Sequence, residues 1–207
     1  MDTFVVAGAG LTGAKAAETL RAEGFAGRVV LAGAEPDLPY ERPPLSKGYL
    51  LGRDDRASVF VHDEQWYADQ DIEVLTGRRV TALDRAAHEV ELAGGDRLGY
   101  TKLLLATGAS PRRLRVPGND LDGVHYLRRL AHADRLRDAL ASGGRVVVAG
   151  AGWVGLETAA AARHGRVVAG LHVNKWDEGL DAVRELILGG RTVDPDRLAD
   201  PARPLTD

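Results

Sequence analysis

Two glycine-rich turns, each lying between a short apolar run and an alanine-rich stretch, constrain this chain more than any other feature. Residues 8–13 read GAGLTG and residues 150–155 read GAGWVG, so both match the pattern GxGxxG. The first glycine of this pattern allows a tight turn, the second lets the backbone approach a pyrophosphate, and the third lets the following helix pack close to the sheet. One such turn is weakly specific, but two of them between a strand and a helix predict binding of two dinucleotides.

Length and charge limit the partners of the chain. Its 207 residues suit one large domain or two small ones, and its net charge of −3 gives no electrostatic reason to expect nucleic acid or an anionic membrane. No apolar run approaches the ~20 residues that span a bilayer, and the first residues lack the basic start of a signal peptide. We therefore expect a cytoplasmic protein with no nucleic-acid or membrane partner.

Cysteine and histidine usage restricts the chemistry. The chain contains no cysteine, which excludes a disulfide, a thiolate metal site and a redox-active dithiol. A flavin disulfide reductase is excluded for the same reason. The six histidines are scattered without the spacing of metal ligands, so no metal site is expected.

The apolar pattern predicts an α/β fold. Continuous apolar runs indicate buried strands of a parallel sheet, and alanine- and leucine-rich runs between them indicate helices. From residue 79 to residue 106 the period changes to two, which predicts a hairpin around Gly-Gly-Asp at 94–96. The predicted strands that flank the helices are 3–7, 28–32, 72–76, 145–149 and 166–171, and the predicted helices are 12–23, 62–70, 153–163 and 180–188.

A proline-rich loop follows the second predicted strand. Residues 35–52 hold four prolines, which fix φ and predict a stiff, irregular segment. Ser46 is predicted to cap a short helix that runs toward Leu51.

An acidic residue after the second strand of a dinucleotide-binding unit binds the ribose. Glu35 is the candidate, although it follows Gly8 by 27 positions rather than the usual ~20.

Three segments give the chain a specific family resemblance: PYERPPLSK at 39–47, LATGA at 105–109 and GAGWVGLE at 150–157. Together they closely resemble the FAD-dependent ferredoxin reductases, the reductase components of cytochrome P450 and aromatic-ring oxygenase systems, which are similar to apoptosis-inducing factor. The resemblance covers residues 3–163 and resumes at 172–177. It implies a Rossmann-like fold with two dinucleotide-binding domains, the second of them truncated. The implied domains are an FAD-binding domain at 1–112, the start of an NAD(P)-binding domain at 113–164 and a C-terminal remnant at 165–207.

The resemblance also implies cofactors, a partner and site residues. NAD(P)H would pass a hydride to FAD, and electrons would then reach a ferredoxin-type iron–sulfur protein. Lys47 would lie beside the reactive edge of the flavin, paired with Glu157 as the catalytic pair. A cation there stabilises the charge of the reduced ring, and a carboxylate keeps the lysine charged. The other residues implied to bind FAD are Gly8, Gly10, Gly13, Glu35, Arg42, Val80, Thr107, Gly108 and Arg112, and the second turn would use Gly150, Gly152 and Gly155.

The chain departs from the pattern of these enzymes in three places. Ala34 stands where the family commonly has an acid, so Glu35 is chosen between neighbours. A late Gly-Asp motif that contacts the flavin is missing. After residue 163 the second unit runs directly into the segment that resembles the C-terminal domain, which predicts an internal deletion. Residues 166–171 would at best be a fortuitous substitute for the missing strand, with Asp177 as a distant candidate for a ribose contact.

These departures leave two functions open. The first is an FAD-dependent NAD(P)H oxidoreductase of the ferredoxin reductase type. The second is a truncated, non-catalytic, nucleotide-binding remnant of such an enzyme. A set of arginines is equally consistent with docking of an acidic ferredoxin and with a solvated surface, so it does not decide between the two. These arginines are Arg112, Arg113, Arg115, Arg128 and Arg129.

Overall fold

The computed structural model describes residues 1–113, 115–143, 146–150 and 152–162. The chain divides into two compact units, and the proline-rich loop is shared between them. The first unit is Met1–Glu41 with Arg56–Ser110, and the second is Arg42–Asp55 with the residues from Pro111 onward. The domain boundaries named above stay predictions. The predicted strand at 166–171, the predicted helix at 180–188 and Asp177 lie outside the described residues.

The first unit contains two sheets and two helices. A parallel sheet has the strand order β3-β2-β1-β7, and an antiparallel sheet has the order β4-β5-β6. This arrangement confirms the α/β class. The strands are β1 (Thr3–Ala7), β2 (Arg28–Ala32), β3 (Ile72–Leu75), β4 (Val80–Asp84), β5 (Glu89–Leu92), β6 (Arg97–Gly99) and β7 (Lys102–Leu105). The helices are α1 (Leu11–Ala22) and α2 (Glu64–Asp69), with a 3-10 turn at Arg56–Val59.

The core of this unit explains why the strands are apolar along their whole length. On one face of the parallel sheet, Val6 and Leu31 pack with Ala17 of α1. On the other face, Val5 and Val30 pack with Val90 of the antiparallel sheet. A strand covered on both faces needs apolar side chains at every position, and this is the pattern from which the strands were predicted.

The hairpin predicted around residues 94–96 joins β5 to β6. Gly94 and Gly95 have φ of 103° and 91°, a region that side-chain-bearing residues rarely adopt. The amide of Gly95 donates to the carbonyl of Leu92 at 2.9 Å. The turn chemistry therefore sets this hairpin, as the sequence predicts.

The second unit carries two predictions that are wrong. The prolines at 43 and 44 begin a 3-10 helix, because their fixed φ suits a first helical turn, so the helix ends at Ser46 instead of starting there. Residues 146–150 contain only an isolated bridge residue, Val148, rather than the predicted strand. An apolar run becomes a strand only where a neighbour pairs with it over several residues. The α-helices among the described residues of this unit are α3 (Leu130–Ala141) and α4 (Trp153–Ala161).

Tyr67 of α2 gives the first unit a specific sensitivity to high pH. Its side chain is 2% exposed, and its hydroxyl has no hydrogen-bond partner among the described residues. Burial, with a smaller effect of the Glu18 charge, raises the pKa of this hydroxyl from 10.0 to about 12. Because the pKa is raised in the folded state, the associated stability is complete below pH 10 and is lost as the pH rises toward 12.

We therefore expect Tyr67→Phe to be neutral or to stabilise the protein by about 1 kcal/mol at neutral pH, since it removes an unpaired buried hydroxyl. The variant should also lose less stability than the parent in alkaline solution. Urea unfolding near pH 8 and near pH 11 measures both effects. An equal loss of stability in parent and variant would show that Tyr67 is not the titrating group.

Candidate functional site

The first glycine turn joins β1 to α1, and each of its three glycines has different surroundings. Gly8 has a φ of 128°, and a Cβ there would lie 2.1 Å from the carbonyl oxygen of Ala106. A Cβ on Gly13 would lie 2.1 Å from the carbonyl oxygen of Gly8. Gly10, by contrast, has an extended backbone with a φ of −102°, and no heavy atom lies within 4 Å of its Cβ position. The turn itself therefore requires Gly8 and Gly13, whereas Gly10 leaves open space beside the backbone.

The open space at Gly10 fits a phosphate group. Gly10 is the N-terminal cap of α1, and the first turn of that helix carries no acidic residue. The amides of the first helical turn and the positive end of the helix dipole therefore lie next to the open space that a Cβ would occupy. The residues present thus suit a dinucleotide pyrophosphate.

Gly13 is required by the close packing of the turn. We expect Gly13→Ala to destabilise the protein by about 1–3 kcal/mol, because the added methyl group meets backbone that cannot move freely. Urea unfolding followed by circular dichroism measures the loss, with Gly10→Ala as the matched control whose methyl group meets no protein atom within 4 Å. The same unfolding midpoint for both variants would contradict the packing of this turn.

Other predicted residues of the first unit gather at the same edge of the parallel sheet. The ends of the strands coincide there: the amide of Gly8 donates to Ala32 at 2.9 Å, and the amide of Ala106 donates to Ala7 at 2.9 Å. Thr107 and Gly108 follow directly after β7, and Gly108 has a φ of 68°. In open α/β sheets, ligands bind outside the carboxyl ends of the strands, so this edge is the candidate dinucleotide site.

Two predicted residues of the first unit have structural partners of their own. Glu35 follows β2, and its carboxylate accepts a hydrogen bond from the hydroxyl of Tyr40. Val80 begins β4, pairs with Leu92 and packs against the core formed by Val5 and its neighbours. A role of Glu35 at a ribose and of Val80 at an adenine stays a prediction.

The second glycine turn repeats the local geometry of the first. Gly150 has a φ of 118°, and a Cβ on Gly155 would lie 1.9 Å from its carbonyl oxygen. Gly152 caps α4, and no described heavy atom lies within 4 Å of its Cβ position. The turns differ at their first glycine: Gly8 meets the backbone of Ala106, whereas no described atom lies within 4 Å of a Cβ on Gly150. In the part of the chain that the structure describes, no neighbouring backbone closes the second turn as Ala106 closes the first.

The predicted pair of Lys47 and Glu157 is present within the second unit. Lys47 Nζ lies 3.0 Å from Glu157 Oε1, and the two side chains are 55% and 17% exposed. The other carboxylate oxygen of Glu157 accepts a hydrogen bond from the hydroxyl of Ser46. Glu157 lies on α4 two residues after Gly155, so the second glycine turn also places this carboxylate. The role of the pair at a flavin stays a prediction.

The two predicted arginines occupy different surroundings. The guanidinium of Arg42 donates to the backbone carbonyl of Arg128, so this cation holds the proline-rich segment to the chain before α3. Arg112 is exposed. Nearby, the guanidinium of Arg113 lies 5.4 Å from the ring centre of Tyr126. Neither position tests the predicted contact with FAD.

Sequence reasoning missed the contribution of Ser46 to this site. Local sequence predicts a helix cap for this residue, because serine is strongly preferred at that position. Its partner Glu157 is 111 positions away along the chain. The one sequence signal for the contact between Ser46 and Glu157 is the neighbouring Lys47, which the resemblance pairs with Glu157.

The described residues contain neither a candidate membrane span nor a candidate metal site. No helix among them is long and apolar enough to cross a membrane. They also bring together no group of three histidine, aspartate or glutamate side chains that could hold a metal ion.

Comparison with known proteins finds a matching family and similar relatives. The pyridine nucleotide-disulphide oxidoreductase family matches residues 2–176. Rhodocoxin reductase of Rhodococcus erythropolis is 47% identical over 78% of this chain and 38% of its own length. The ferredoxin–NAD(+) reductase component of the biphenyl dioxygenase system of Paraburkholderia xenovorans is 41% identical over 93% of this chain and 46% of its own length.

Solved structures give the same result. The ferredoxin reductase for the CYP199A2 system from Rhodopseudomonas palustris is 43% identical, with a TM-score of 0.75 over 79% of this chain and 40% of that one. Putidaredoxin reductase in its covalent complex with putidaredoxin is 40% identical, with a TM-score of 0.73 over 78% of this chain and 39% of that one. The resemblance to ferredoxin reductases is confirmed, and the chain spans less than half the length of these relatives.

Proposed function

We propose that this chain, which belongs to the pyridine nucleotide-disulphide oxidoreductase family, is an FAD-dependent NAD(P)H oxidoreductase of the ferredoxin reductase type. Ferredoxin reductases of this family use FAD and NAD(P)H. The chain covers 38% to 46% of the length of the two relatives described above, so its activity, substrates and partner are proposals.

The observation that carries the proposal is the open cradle at Gly10. Its neighbours Gly8 and Gly13 are required by the turn, but Gly10 is required by nothing within 4 Å in the described protein. A glycine that the fold does not need, placed at the N-terminus of a helix, is explained by a ligand that approaches the backbone. We propose that this ligand is the pyrophosphate of FAD, with Thr107 and Gly108 at the same edge of the sheet.

Lys47 and Glu157 supply the charge that the proposed reaction needs. Bound FAD would supply two-electron chemistry with NAD(P)H and one-electron chemistry with an iron–sulfur partner. The ammonium group of Lys47 would stabilise negative charge on the reduced cofactor. Glu157, 17% exposed, would hold that ammonium group in place.

We propose a ferredoxin-type iron–sulfur protein as the electron acceptor and the cytoplasm as the location. The relative bound to putidaredoxin supports the first part. Fractionation of the native host cells would test the location, and recovery of the chain outside the cytoplasmic fraction would contradict it.

Delivery of electrons to a ferredoxin tests the proposed function. The full chain, loaded with FAD, is mixed under anaerobic conditions with NADH or NADPH and a [2Fe–2S] ferredoxin. We expect bleaching of the iron–sulfur absorbance at a rate that follows the concentration of the chain. Free FAD at the same concentration is the control. A rate no greater than that of the control would contradict the proposal.

One observation favours the alternative of a non-catalytic remnant. The second turn lacks, among the described residues, the close backbone approach that Ala106 makes at the first. In a remnant, NADH would leave the bound flavin oxidised. Anaerobic addition of NADH to the FAD-loaded chain separates the two functions, since bleaching of the flavin band excludes the remnant and an oxidised flavin excludes the reductase.

A further inference from the structure

Ser46 is buried and makes a specific polar contact in the second unit. Ser46 is 6% exposed, so it is a polar residue buried among the described residues. The hydroxyl donates to Glu157 Oε2, while Lys47 Nζ lies 3.0 Å from Glu157 Oε1. The two oxygens of one carboxylate are thus divided between two neighbouring residues.

The backbone around Ser46 fixes where its hydroxyl lies. Pro43 and Pro44 start the 3-10 helix, and the amide of Lys47 donates to the carbonyl of Pro44 at 3.0 Å. The next turn is anchored by Tyr49, whose hydroxyl donates to Asp134 of α3. Proline restraint on one side and a buried tyrosine on the other leave the serine few alternative conformations.

Among the described residues, the side chain of Lys47 has no polar partner besides Glu157. Its side chain is 55% exposed, and an exposed lysine that pairs with a carboxylate must give up much of its rotamer freedom. The pair has a defined geometry only if the carboxylate is held from elsewhere. Ser46 is the described residue that holds Glu157 by its second oxygen.

We propose that Ser46 is a positioning residue, whose hydroxyl holds one oxygen of Glu157 so that the other is presented to Lys47. This inference rests on the proposed function, because the geometry of the pair matters for turnover only if Lys47 acts on a bound flavin. Ser46 itself acts through Glu157.

The cofactor-free chain provides the first test. Reductive methylation with ¹³C-formaldehyde labels its four lysines, and Lys47→Arg identifies the signal of Lys47. We expect Glu157→Gln to shift that signal and Ser46→Ala to shift it in the same direction. Ser46→Thr, which keeps the hydroxyl, should restore the parent position. An unmoved signal in Ser46→Ala would overturn the proposal.

Thr158→Ala is the matched control. Thr158 neighbours Glu157 on α4, and its hydroxyl donates to the carbonyl of Val154 at 2.7 Å in the same helix. The variant removes a hydroxyl hydrogen bond from this helix without touching the carboxylate. A shift of the Lys47 signal as large as that of Ser46→Ala would mean that the signal reports loosening of the helix, and the proposal would fail.

Flavin reduction by NAD(P)H provides the second test. We expect Ser46→Ala to slow it about tenfold, the loss typical of one hydrogen bond to a charged group. In a Glu157→Gln background the same substitution should have no further effect, because its target is gone. Independent slowing in both backgrounds would overturn the proposal. If the Lys47 signal behaves as expected but the parent chain is not reduced, the positioning stands and the proposed function fails.

Discussion

Gly10→Ala is expected to weaken FAD binding about 10- to 100-fold while leaving the stability of the FAD-free chain unchanged. The added methyl group meets no protein atom within 4 Å, and the extended backbone at Gly10 suits alanine. The methyl group fills the space in which we place the pyrophosphate. Overpacking of this kind costs about 1–3 kcal/mol, which corresponds to the expected loss of affinity. Fluorescence titration with FAD and thermal unfolding measure the two quantities.

Gly152→Ala is the matched control in the second turn. Gly152 also caps a helix and also has no described heavy atom within 4 Å of its Cβ position. We expect this variant to keep the FAD affinity of the parent and to bind the nicotinamide cofactor more weakly. Equal loss of FAD affinity in both variants, or none in Gly10→Ala, would contradict the assignment of FAD to the first turn.

Lys47→Ala is expected to slow the reduction of bound flavin by NAD(P)H about 100-fold and to leave FAD affinity close to that of the parent. Removing one preorganised group that stabilises developing charge typically costs a factor of 10²–10³ in rate. The lysine is 55% exposed, so its loss should cost the fold at most about 1 kcal/mol. Anaerobic stopped-flow absorbance gives the rate, and fluorescence titration gives the affinity.

Lys47→Arg separates charge from geometry. This variant keeps the positive charge and the ability to pair with Glu157, but it replaces a compact ammonium group with a planar guanidinium. We expect a rate between those of the parent and Lys47→Ala. If Lys47→Ala reduces as fast as the parent, the lysine has no part in the reaction and the interpretation of its pair with Glu157 is wrong.

The first unit could be predicted well because its elements are defined by local sequence. Continuous apolar runs gave β1 and β2 with the observed bounds, and α1 differs by one residue at each end. The glycine turn follows from backbone conformation, since the sharp bend at Gly8 and the close approach at Gly13 admit no side chain. These requirements involve residues that lie close together along the chain, so the elements they define can be predicted from the sequence.

The second unit was harder to predict because its contacts join distant residues. The apolar run at 145–149 has the composition of a strand, but strand formation depends on partners that composition does not specify. Ser46 has the local signature of a helix cap, yet its hydroxyl bonds a carboxylate 111 positions away. The first unit has one similar case although the two residues are close along the chain: the hydrogen bond from the hydroxyl of Tyr40 to Glu35 depends on how the proline-rich loop folds back, which local propensity does not determine.

The visible absorption spectrum of the purified chain tests the central claim most directly. FAD is added, the excess is removed, and the spectrum is recorded before and after anaerobic addition of NADH. We predict a retained flavin band that bleaches with NADH. A colourless protein would contradict binding of FAD, and a retained band that NADH leaves oxidised would contradict the reductase.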